Sequence, residues 1–363
     1  MRFSDVLDIR NGRNQRQVEN ENGKYPIYGS GGVMGHADDF ICDAETVVIG
    51  RKGSINNPIF VDEPFWNVDT AFGLVAHKEV LLPKYLYYFC VNFDFERLNT
   101  TVTIPSLTKA NLLQIEIRVP DMDIQQNIVS VLDKICYLIE LRQKELYNLD
   151  QLVKSRFIEI FGDPENNNKA WKVKFLDNLC TVGSSKRVYQ SEQSSEGVPF
   201  WRISDLVSKI DTGTVDSALF ISKTKYTELK QAGLVPVTGD ILLTSRGTLG
   251  RCYIIKDEDR FYFQDGMISW LSNYSEEITP LYLQYLFSMS GFRKQIDKLQ
   301  AGSTVAYLSI AMLKKLQVMV PDKTLQKQFA AFVTQVDKSK LAIQKSLEKL
   351  EILKKALMQK YFG

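Results

Sequence analysis

The chain repeats itself once, with a constant offset of 201 residues over its longest matching stretch. Leu107 aligns with Leu308, and the Phe-Gly pair at 161–162 aligns with the same pair at 362–363, with no gap in between. Chance does not preserve one register over about sixty residues while roughly a quarter of the positions stay identical. The fold therefore has to consist of two copies of one structural plan.

Upstream of that stretch the match continues with small changes of offset, as loops of different length produce. The segment TVVIGRKGS (46–54) corresponds to DILLTSRGT (240–248), which places Lys52 on Arg246. Further along, PKYLYYFC corresponds to PLYLQYLF. Each copy is thus a globular segment of mixed strand and turn, followed by a long helix.

Two segments, 124–161 and 325–361, carry apolar residues at helical spacing without internal Gly or Pro, which predicts long helices. The apolar positions form a heptad stripe, and such a stripe needs a partner helix. They are Leu132, Ile135, Ile139, Leu146, Leu149, Val153 and Ile160 in the first helix and Val333, Val336, Ile343, Leu347, Leu350 and Leu357 in the second. The predicted partner of each helix is the other helix, in antiparallel packing. The alternative is that each helix only covers its own domain.

Short β-branched runs bounded by glycine predict strands in both copies. These runs are Thr46 to Ile49, Ile59 to Val61, Asp240 to Leu243 and Cys252 to Ile255. The predicted fold class is therefore α+β, with two similar domains at opposite ends of a long antiparallel two-helix coiled coil and an internal pseudo-twofold repeat. The predicted boundaries are 1–123 for the first domain, 124–162 for a central spacer helix, 163–324 for the second domain and 325–363 for a C-terminal spacer helix.

Composition excludes several classes of protein. A formal charge of +2 and an apolar content of 44% fit a globular chain with room for two domains. The five cysteines are scattered and never in C-x-x-C spacing, so neither a disulfide framework nor a zinc site is predicted. The two histidines, His36 and His77, disfavour a histidine-based metal centre or a Ser-His-Asp triad. No stretch is apolar enough for a membrane helix, and the predicted location is cytoplasmic.

The glycine-rich segment YPIYGSGGVMG (25–35) suggests a nucleotide-binding loop. Such a loop needs a strand before it and a helix after it. Neither is predicted here, because NGRNQRQVENENGK before the segment is polar and turn-prone and HADDFICDAET follows it. Met34 also stands where the third glycine of G-x-G-x-x-G belongs. We therefore assign no cofactor-binding or metal-binding residue, and we interpret these glycines as turn residues.

A sharper enzyme hypothesis treats the chain as a free-standing DNA adenine methyltransferase. IYGSG would be the cofactor loop, and NPIF (57–60) would be a variant of the catalytic N-P-P-F motif. The equivalent places in the second copy read VPFWRIS and GRCYII, so neither motif recurs although the framework around them does. A nuclease would need clustered carboxylates with a lysine, and acidic pairs such as Asp38-Asp39 lack that setting. No catalytic residue is predicted.

What recurs is a strand that ends in glycine, a basic residue and a hydroxyl residue, as in VVIGRKGS and LLTSRGTLGR. Glycine lets the backbone approach a nucleic acid, Ser or Thr can donate to phosphate, and Arg or Lys can bind a guanine edge or phosphate. The alternative is an ordinary β-turn with solvated basic residues. Two diverged copies on a spacer of fixed length favour DNA. The candidate DNA-binding residues are Tyr28, Ser30, Arg51, Lys52 and Ser54 in the first copy and Lys186, Arg187, Arg202, Ser245, Arg246, Thr248 and Arg251 in the second.

In this order the motifs resemble one family along the whole chain, the specificity (S) subunit of type I restriction-modification systems. The similar segments are YPIYGSGGVMG, TVVIGRKGS and PFWNVDTAF in the first copy, ILLTSRGTLG in the second, VPDMDIQQNIVSVLDKI before the first long helix, and the link KSRFIEIFGDPENNNKAWKVKFLDNL. One departure is that the chain begins almost directly in its first domain, without the tryptophan-containing segment that precedes the second at Trp171.

The resemblance implies a non-catalytic subunit with two target-recognition domains, each binding one half of a bipartite site in double-stranded DNA. It also implies that the helices dock two modification (methyltransferase) subunits and that a restriction (ATPase/nuclease) subunit completes the complex. S-adenosylmethionine, ATP and Mg would then be bound by the partners and not by this chain. A rod of about 35 residues would span roughly 50 Å, or about 15 base pairs. The competing hypotheses are a free-standing methyltransferase or fused restriction enzyme, and a coiled-coil adaptor that does not contact DNA.

Overall fold

The computed structural model describes residues 1–99, 106–300 and 306–363. The first positions of the sequence repeat, 104–105 and 305, lie outside the described residues. The chain forms two compact units: the first consists of Met1–Glu145 and Ile343–Gly363, and the second of Leu146–Ala342. Each unit therefore contains one half of each long helix.

In the described part of the chain, the helices are α1 (Phe3–Val6), α2 (Pro83–Asn92), α3 (Lys109–Leu113), α4 (Met122–Phe161), α5 (Ile203–Thr212), α6 (Lys223–Gln231), α7 (Pro280–Ser288), α8 (Ser290–Gln300), α9 (Ile310–Lys314) and α10 (Lys323–Phe362). Short 3-10 turns occur at Phe95–Leu98, Leu176–Asn178 and Gln190–Glu192. No helix among the described residues is long and apolar enough to cross a membrane.

The strands of the first unit are β1 (Leu7–Asn11), β2 (Tyr25–Gly29), β3 (Gly32–Ala37), β4 (Thr46–Gly50), β5 (Ile59–Val61), β6 (Trp66–Asn67) and β7 (Ala71–Ala76). Those of the second are β8 (Lys172–Phe175), β9 (Thr181–Gly183), β10 (Gln193–Ser194), β11 (Val198–Trp201), β12 (Phe220–Ile221), β13 (Ile241–Thr244), β14 (Cys252–Ile254), β15 (Tyr262–Phe263), β16 (Ile268–Ser272) and β17 (Gln317–Val320). The four predicted strands are confirmed as β4, β5, β13 and β14, with shifts of at most one residue at their ends.

Each unit contains its own copy of the same four-stranded antiparallel sheet. Its strand order is β1-β7-β4-β5 in the first unit and β9-β16-β13-β14 in the second. The register is the same, because Val47 opposite Leu74 is matched by Ile241 opposite Leu271. A smaller pairing also recurs, since β2 runs parallel to β6 as β11 runs parallel to β15. The sequence repeat is therefore a repeat of strand order and register.

The glycine-rich segment 25–35 differs from the prediction that no strand is present there. Residues 25–29 themselves form strand β2, so the strand that was not predicted before the glycines is present. The chain then turns back into β3, which pairs antiparallel with β2. A helix does not follow, so the segment is a β-hairpin. In the second unit the equivalent strand β11 leads instead into helix α5.

The two predicted long helices are confirmed as α4 and α10, each of 40 residues and displaced by the repeat offset. In the second unit their halves run antiparallel, because Phe157 packs on Phe329 with ring centroids 5.5 Å apart while Lys340 bonds to Asp150. In the first unit the halves share one core through buried residues such as Leu132 and Met358. The helices thus pair with each other, as predicted, and they also pack on the domains, whereas the alternative that each helix only covers its own domain is wrong.

A buried glutamine at the start of each long helix anchors it to its domain. The Gln125 side-chain oxygen accepts from the Leu82 N–H (2.9 Å), and its amide donates to the carbonyls of Val80 and Pro120 (both 2.8 Å). Gln326 bonds the repeat-equivalent backbone groups in the second unit. Both side chains are essentially inaccessible to solvent. The same polar anchor has therefore been kept in both copies.

Candidate nucleic-acid interface

The first basic turn, residues 50–54, follows the C-terminal end of strand β4. The backbone N–H groups of Arg51 and Lys52 both donate to the carbonyl of Thr70, at 2.8 and 3.3 Å. Gly50 is required here, because a Cβ at this position would lie 2.3 Å from the carbonyl oxygen of Ser54. The turn is thereby tight, and the side chains of residues 51, 52 and 54 are exposed.

Ser30 and Tyr28 belong to the hairpin beside this turn. A Cβ placed on Gly50 would lie 3.0 Å from the Ser30 Cβ, so the predicted residues Ser30 and Ser54 flank the same glycine. The Tyr28 ring packs edge-on against Phe65 at a centroid distance of 5.3 Å. Burial raises the pKa of Tyr28, and two nearby carboxylates raise it further, so the hydroxyl stays a hydrogen-bond donor at neutral pH.

The second basic turn, residues 244–248, follows strand β13 at the position equivalent to the first. The carbonyl of Ser245 accepts from the N–H of Leu308 (2.9 Å), as the carbonyl of Arg51 accepts from the N–H of Leu107 (2.9 Å). Gly247 has a positive φ of 67°, which favours glycine at the tip. Arg246 and Thr248 are exposed on this turn.

Ser245 has to be removed from the candidate set. Its side chain is only 2% exposed, and its hydroxyl is hydrogen-bonded to the hydroxyl of Ser269 at 2.6 Å. Side chains alternate in direction along an extended segment. The residue before an outward-facing Arg246 therefore points into the domain, and Ser245 holds the turn in place without facing a ligand.

Both basic turns are joined to the segment that precedes α3 or α9. Lys52 forms an antiparallel bridge with Ser106, and Arg246 forms one with Tyr307. A side-chain amide binds the backbone of each bridged residue, and the two amides lie at equivalent positions of the repeat. Asn99 accepts from the Ser106 N–H (3.1 Å), and Gln300 accepts from the Tyr307 N–H (2.8 Å).

The basic side chains near the first turn are not neutralised. The same domain contains Arg13, whose N–H donates to the Asn67 carbonyl (2.8 Å), and Arg10, which lies on β1 opposite Gly73. Among the residues that the structure describes, no carboxylate lies within ion-pair distance of either arginine, nor of Arg51 or Lys52. The first domain therefore carries several basic side chains without an ion-pair partner among the described residues, which suits a polyanion.

Two of the predicted arginines in the second copy are paired. Arg187 donates to Asp265 at 2.8 Å, and the guanidinium of Arg251 binds both carboxylate oxygens of Asp211 on α5. The hydrogen bond from Arg251 lowers the pKa of Asp211, so this carboxylate stays ionised at neutral pH. These two arginines are therefore less available to DNA than the sequence analysis predicted.

Lys186 and Arg202 remain exposed candidates. The backbone of Lys186 is fixed to the hydroxyl of Tyr262, which accepts from its N–H (2.9 Å) and donates to its carbonyl (3.0 Å). Arg202 directly follows strand β11 and its N–H donates to Asp205 at 2.7 Å, which starts helix α5. It therefore occupies the place that Gly29 has in the first copy.

Sequence reasoning missed the residues that support the basic turns: Tyr307 and the two amides at 99 and 300. The repeat offset could have found them, because 99 and 300, like 106 and 307, are 201 apart. The supposed catalytic motif at 57–60 is split, since Asn57 is exposed while Phe60 lies in β5 and packs on Tyr87 at 5.8 Å. Within the described ranges no three His, Cys, Asp or Glu side chains are grouped so that they could hold a metal ion.

The described sheets, turns and helices agree with one protein family. Residues 1–151 and 168–354 match the family model described as "Type I restriction modification DNA specificity domain". Since the match spans most of the chain, the protein belongs to this type I restriction-modification specificity family.

Relatives and solved structures support the assignment. A putative type I restriction enzyme specificity subunit of Haemophilus influenzae is 27% identical over 320 residues, covering 82% of this chain and 76% of the relative. The type I restriction enzyme MjaVIII specificity subunit of Methanocaldococcus jannaschii is 24% identical, covering 88% and 79%. The crystal structure of a type I restriction-modification system S subunit from M. genitalium covers 100% of this chain and 95% of its own, with a TM-score of 0.63 and 19% identity. These similarities confirm the predicted α+β fold class with two similar domains.

Proposed function

We propose that this chain supplies sequence specificity to a type I restriction-modification complex, with each domain binding one half of a bipartite site in double-stranded DNA. The observation that carries the proposal is the recurrence of one basic turn in two diverged forms. Lys52 and Arg246 lie at equivalent ends of equivalent strands and are bridged to equivalent segments. A shared framework with different exposed side chains suits two half-sites of different sequence.

We assign the exposed or partly exposed candidates at and beside each turn to DNA contacts. In the first domain these are Tyr28, Ser30, Arg51, Lys52 and Ser54. In the second they are Lys186, Arg202, Arg246 and Thr248, while Arg187 and Arg251 would have to leave their carboxylate partners to contact DNA. The unpaired cations Arg10 and Arg13 join the first set, because phosphate contacts supply much of the affinity of such interfaces.

We assign the remaining chemistry to partner subunits. S-adenosylmethionine would be bound by two methyltransferase subunits, and ATP and Mg by a restriction subunit, while this chain itself catalyses no step in the cytoplasm. The long helices offer surface for such partners, since both carry large apolar side chains that face solvent. These include Tyr137, Tyr147 and Leu152 on α4 and Leu341, Ile352 and Leu353 on α10.

The proposal is tested by co-expressing the chain with the methyltransferase subunits of its own system and mapping methylated adenines on a randomised duplex library. The expected result is a bipartite motif with a fixed spacer. Arg246→Ala should alter base preference in one half only, whereas Lys52→Ala should weaken methylation without changing the preferred bases. Methylation without sequence preference, or both variants altering the same half, would contradict the proposal.

The competing hypothesis of a free-standing methyltransferase predicts a different outcome. The isolated chain would then be labelled by S-adenosylmethionine under ultraviolet light and would methylate DNA without partners. We expect neither, because IYGSG is a hairpin and not a strand-to-helix loop. A coiled-coil adaptor without DNA contact would instead leave target binding unchanged in the Arg51, Lys52 and Arg246 variants.

A further inference from the structure

In the second basic turn, a tyrosine ring lies against the exposed arginine. The guanidinium carbon of Arg246 is 5.2 Å from the centre of the Tyr307 ring. The same two residues are joined through their backbones by the antiparallel bridge. The backbone bridge therefore keeps the two residues side by side, and the contact between cation and ring adds to it.

Tyr307 is itself fixed from the opposite side. Gln300, at the end of helix α8, accepts from the Tyr307 N–H through Oε1 and donates to its carbonyl through Nε2, both at 2.8 Å. This two-point clamp uses only the backbone of Tyr307. The aromatic ring is left to contact Arg246, so the clamp fixes the backbone from which the ring packs against the guanidinium.

The first domain has a similar amide contact without the ring. Asn99 accepts from the N–H of Ser106 at 3.1 Å, at the position equivalent to Gln300. The bridged residue is serine and the basic residue is Lys52. The framework has therefore been preserved in both copies, while an arginine stacked on the bridged residue is found in the second; in the first turn the neighbouring Arg51 lies over the Phe72 ring at 5.7 Å.

We propose that Tyr307 is a positioning residue that presents the Arg246 guanidinium to a guanine edge in the second half-site. This inference rests on the proposed DNA-binding function and specifies which residue recognises a base. A guanidinium is a planar fork that binds guanine O6 and N7 through two hydrogen bonds, and it stacks on an aromatic face without losing its N–H edges. Holding it before DNA arrives lowers the ordering cost at binding.

Lys52 takes a different role under the same argument. An ammonium group on a flexible stem is a point charge and has no planar fork, and no ring stands at the equivalent position 106 to orient it. Lys52 therefore contributes chiefly to phosphate neutralisation. The two half-sites should consequently differ at these equivalent positions, with a guanine opposite Arg246 and a phosphate opposite Lys52.

The experiment uses the complex of this chain with its methyltransferase subunits and the same randomised duplex library. Arg246→Ala should reduce preference for guanine at one position about tenfold or more. Tyr307→Leu should reduce it about two- to fivefold at that same position, with little change in the salt dependence of binding, because no phosphate contact is lost. Tyr307→Phe should retain the preference, because the ring remains.

A matched control exists in the same domain. Arg260 lies over the ring of Tyr226 at 5.6 Å, and Tyr226 belongs to helix α6, outside the basic turn. Tyr226→Leu removes an equivalent ring from an equivalent cation, and it should leave every base preference unchanged. Melting temperatures of all variants identify any that fail to fold, in which case Tyr307→Phe and Arg246→Lys carry the test.

The outcomes separate this inference from the function on which it rests. If Arg246→Ala relaxes one guanine and Tyr307→Leu does not, positioning by Tyr307 is refuted while DNA recognition stands. If Tyr307→Leu weakens preference at all positions equally, its role is structural and the inference is also refuted. If the wild-type complex shows no bipartite preference, the proposed function fails first. Loss of guanine preference in both variants, with Tyr226→Leu unchanged, supports the inference.

Discussion

The buried amide at the start of α10 provides a prediction whose size follows from its hydrogen bonds. Gln326 accepts from the N–H and hydroxyl of Thr279 (2.9 and 3.0 Å) and donates to the carbonyls of Glu277 and Pro321 (2.8 and 2.9 Å). Its side chain is 1% exposed. Replacing Gln326 by Leu keeps a similar volume but removes all four hydrogen bonds, so the loss is almost entirely polar.

The expected destabilisation is about 3 kcal/mol. A net contribution of about 1 kcal/mol per hydrogen bond gives about 4 kcal/mol for the four bonds. The Glu277 carbonyl and the Thr279 groups are only partly buried and regain some hydration from water, which reduces the total. The Pro321 carbonyl is buried and keeps its full penalty. Gln125→Leu should cost slightly less, because that side chain makes three such bonds.

The assay is urea unfolding of the full chain, followed by circular dichroism and by amide hydrogen exchange of peptides covering residues 277–282. Gln326→Leu should lower the unfolding midpoint and accelerate exchange of the Thr279 N–H. The control is Gln328→Leu, two residues further along the same helix and exposed to solvent. The reasoning is refuted if the two variants unfold at the same urea concentration, or if Thr279 exchange is unchanged in Gln326→Leu.

Two further perturbations have defined outcomes. Replacing Arg51 and Lys52 together by Ala should reduce the slope of log affinity for DNA against log salt concentration by about 2, at about 0.9 per lost phosphate contact. Arg187→Ala should leave this slope nearly unchanged, because Arg187 is already paired with Asp265. Equal effects of the two changes in a salt titration would argue against free cations in the first domain. Burial raises the pKa of Asp240 above its ordinary value of 3.8. Ionising this carboxyl group costs more in the folded chain than in the unfolded chain, so the free energy of unfolding falls as pH rises above about 4. Asp240→Asn keeps an acceptor for the Trp270 N–H. It should melt higher than wild type at pH 7 and lose this advantage below about pH 4; a gap independent of pH would contradict this account.

The helices and strands that depend on residues close together in the chain were predictable from the sequence. The helices α4 and α10 follow from uninterrupted heptad spacing, and their observed bounds differ from the prediction by at most two residues at each end. The strands β4 and β13 follow from β-branched runs that end near glycine. The equivalence of Lys52 and Arg246 followed from the repeat alone. Strand β2 was missed, because its polar flanks and several glycines indicate turns, whereas pairing with both β3 and β6 stabilises it.

The availability of each basic side chain was not predictable, because its partner is distant in the chain. Arg187 is neutralised by Asp265, 78 residues away, and Arg251 by Asp211, 40 residues away. No pattern in a single sequence indicates which of many carboxylates a given arginine will meet. For the same reason Ser245 looked like a phosphate contact, although its partner Ser269 holds it inside the domain.

The sequence by itself determined that the protein is one plan used twice, since a repeat of fixed register and two apolar stripes depend only on the order of residues along the chain. It also determined where the two basic turns lie. Only the tertiary structure decided which side chains these turns can offer to DNA, because that depends on strand direction, ion pairs and aromatic contacts between distant residues. The stacking of Arg246 on Tyr307 is such a contact, and it distinguishes two turns that the sequence alone shows as equivalent.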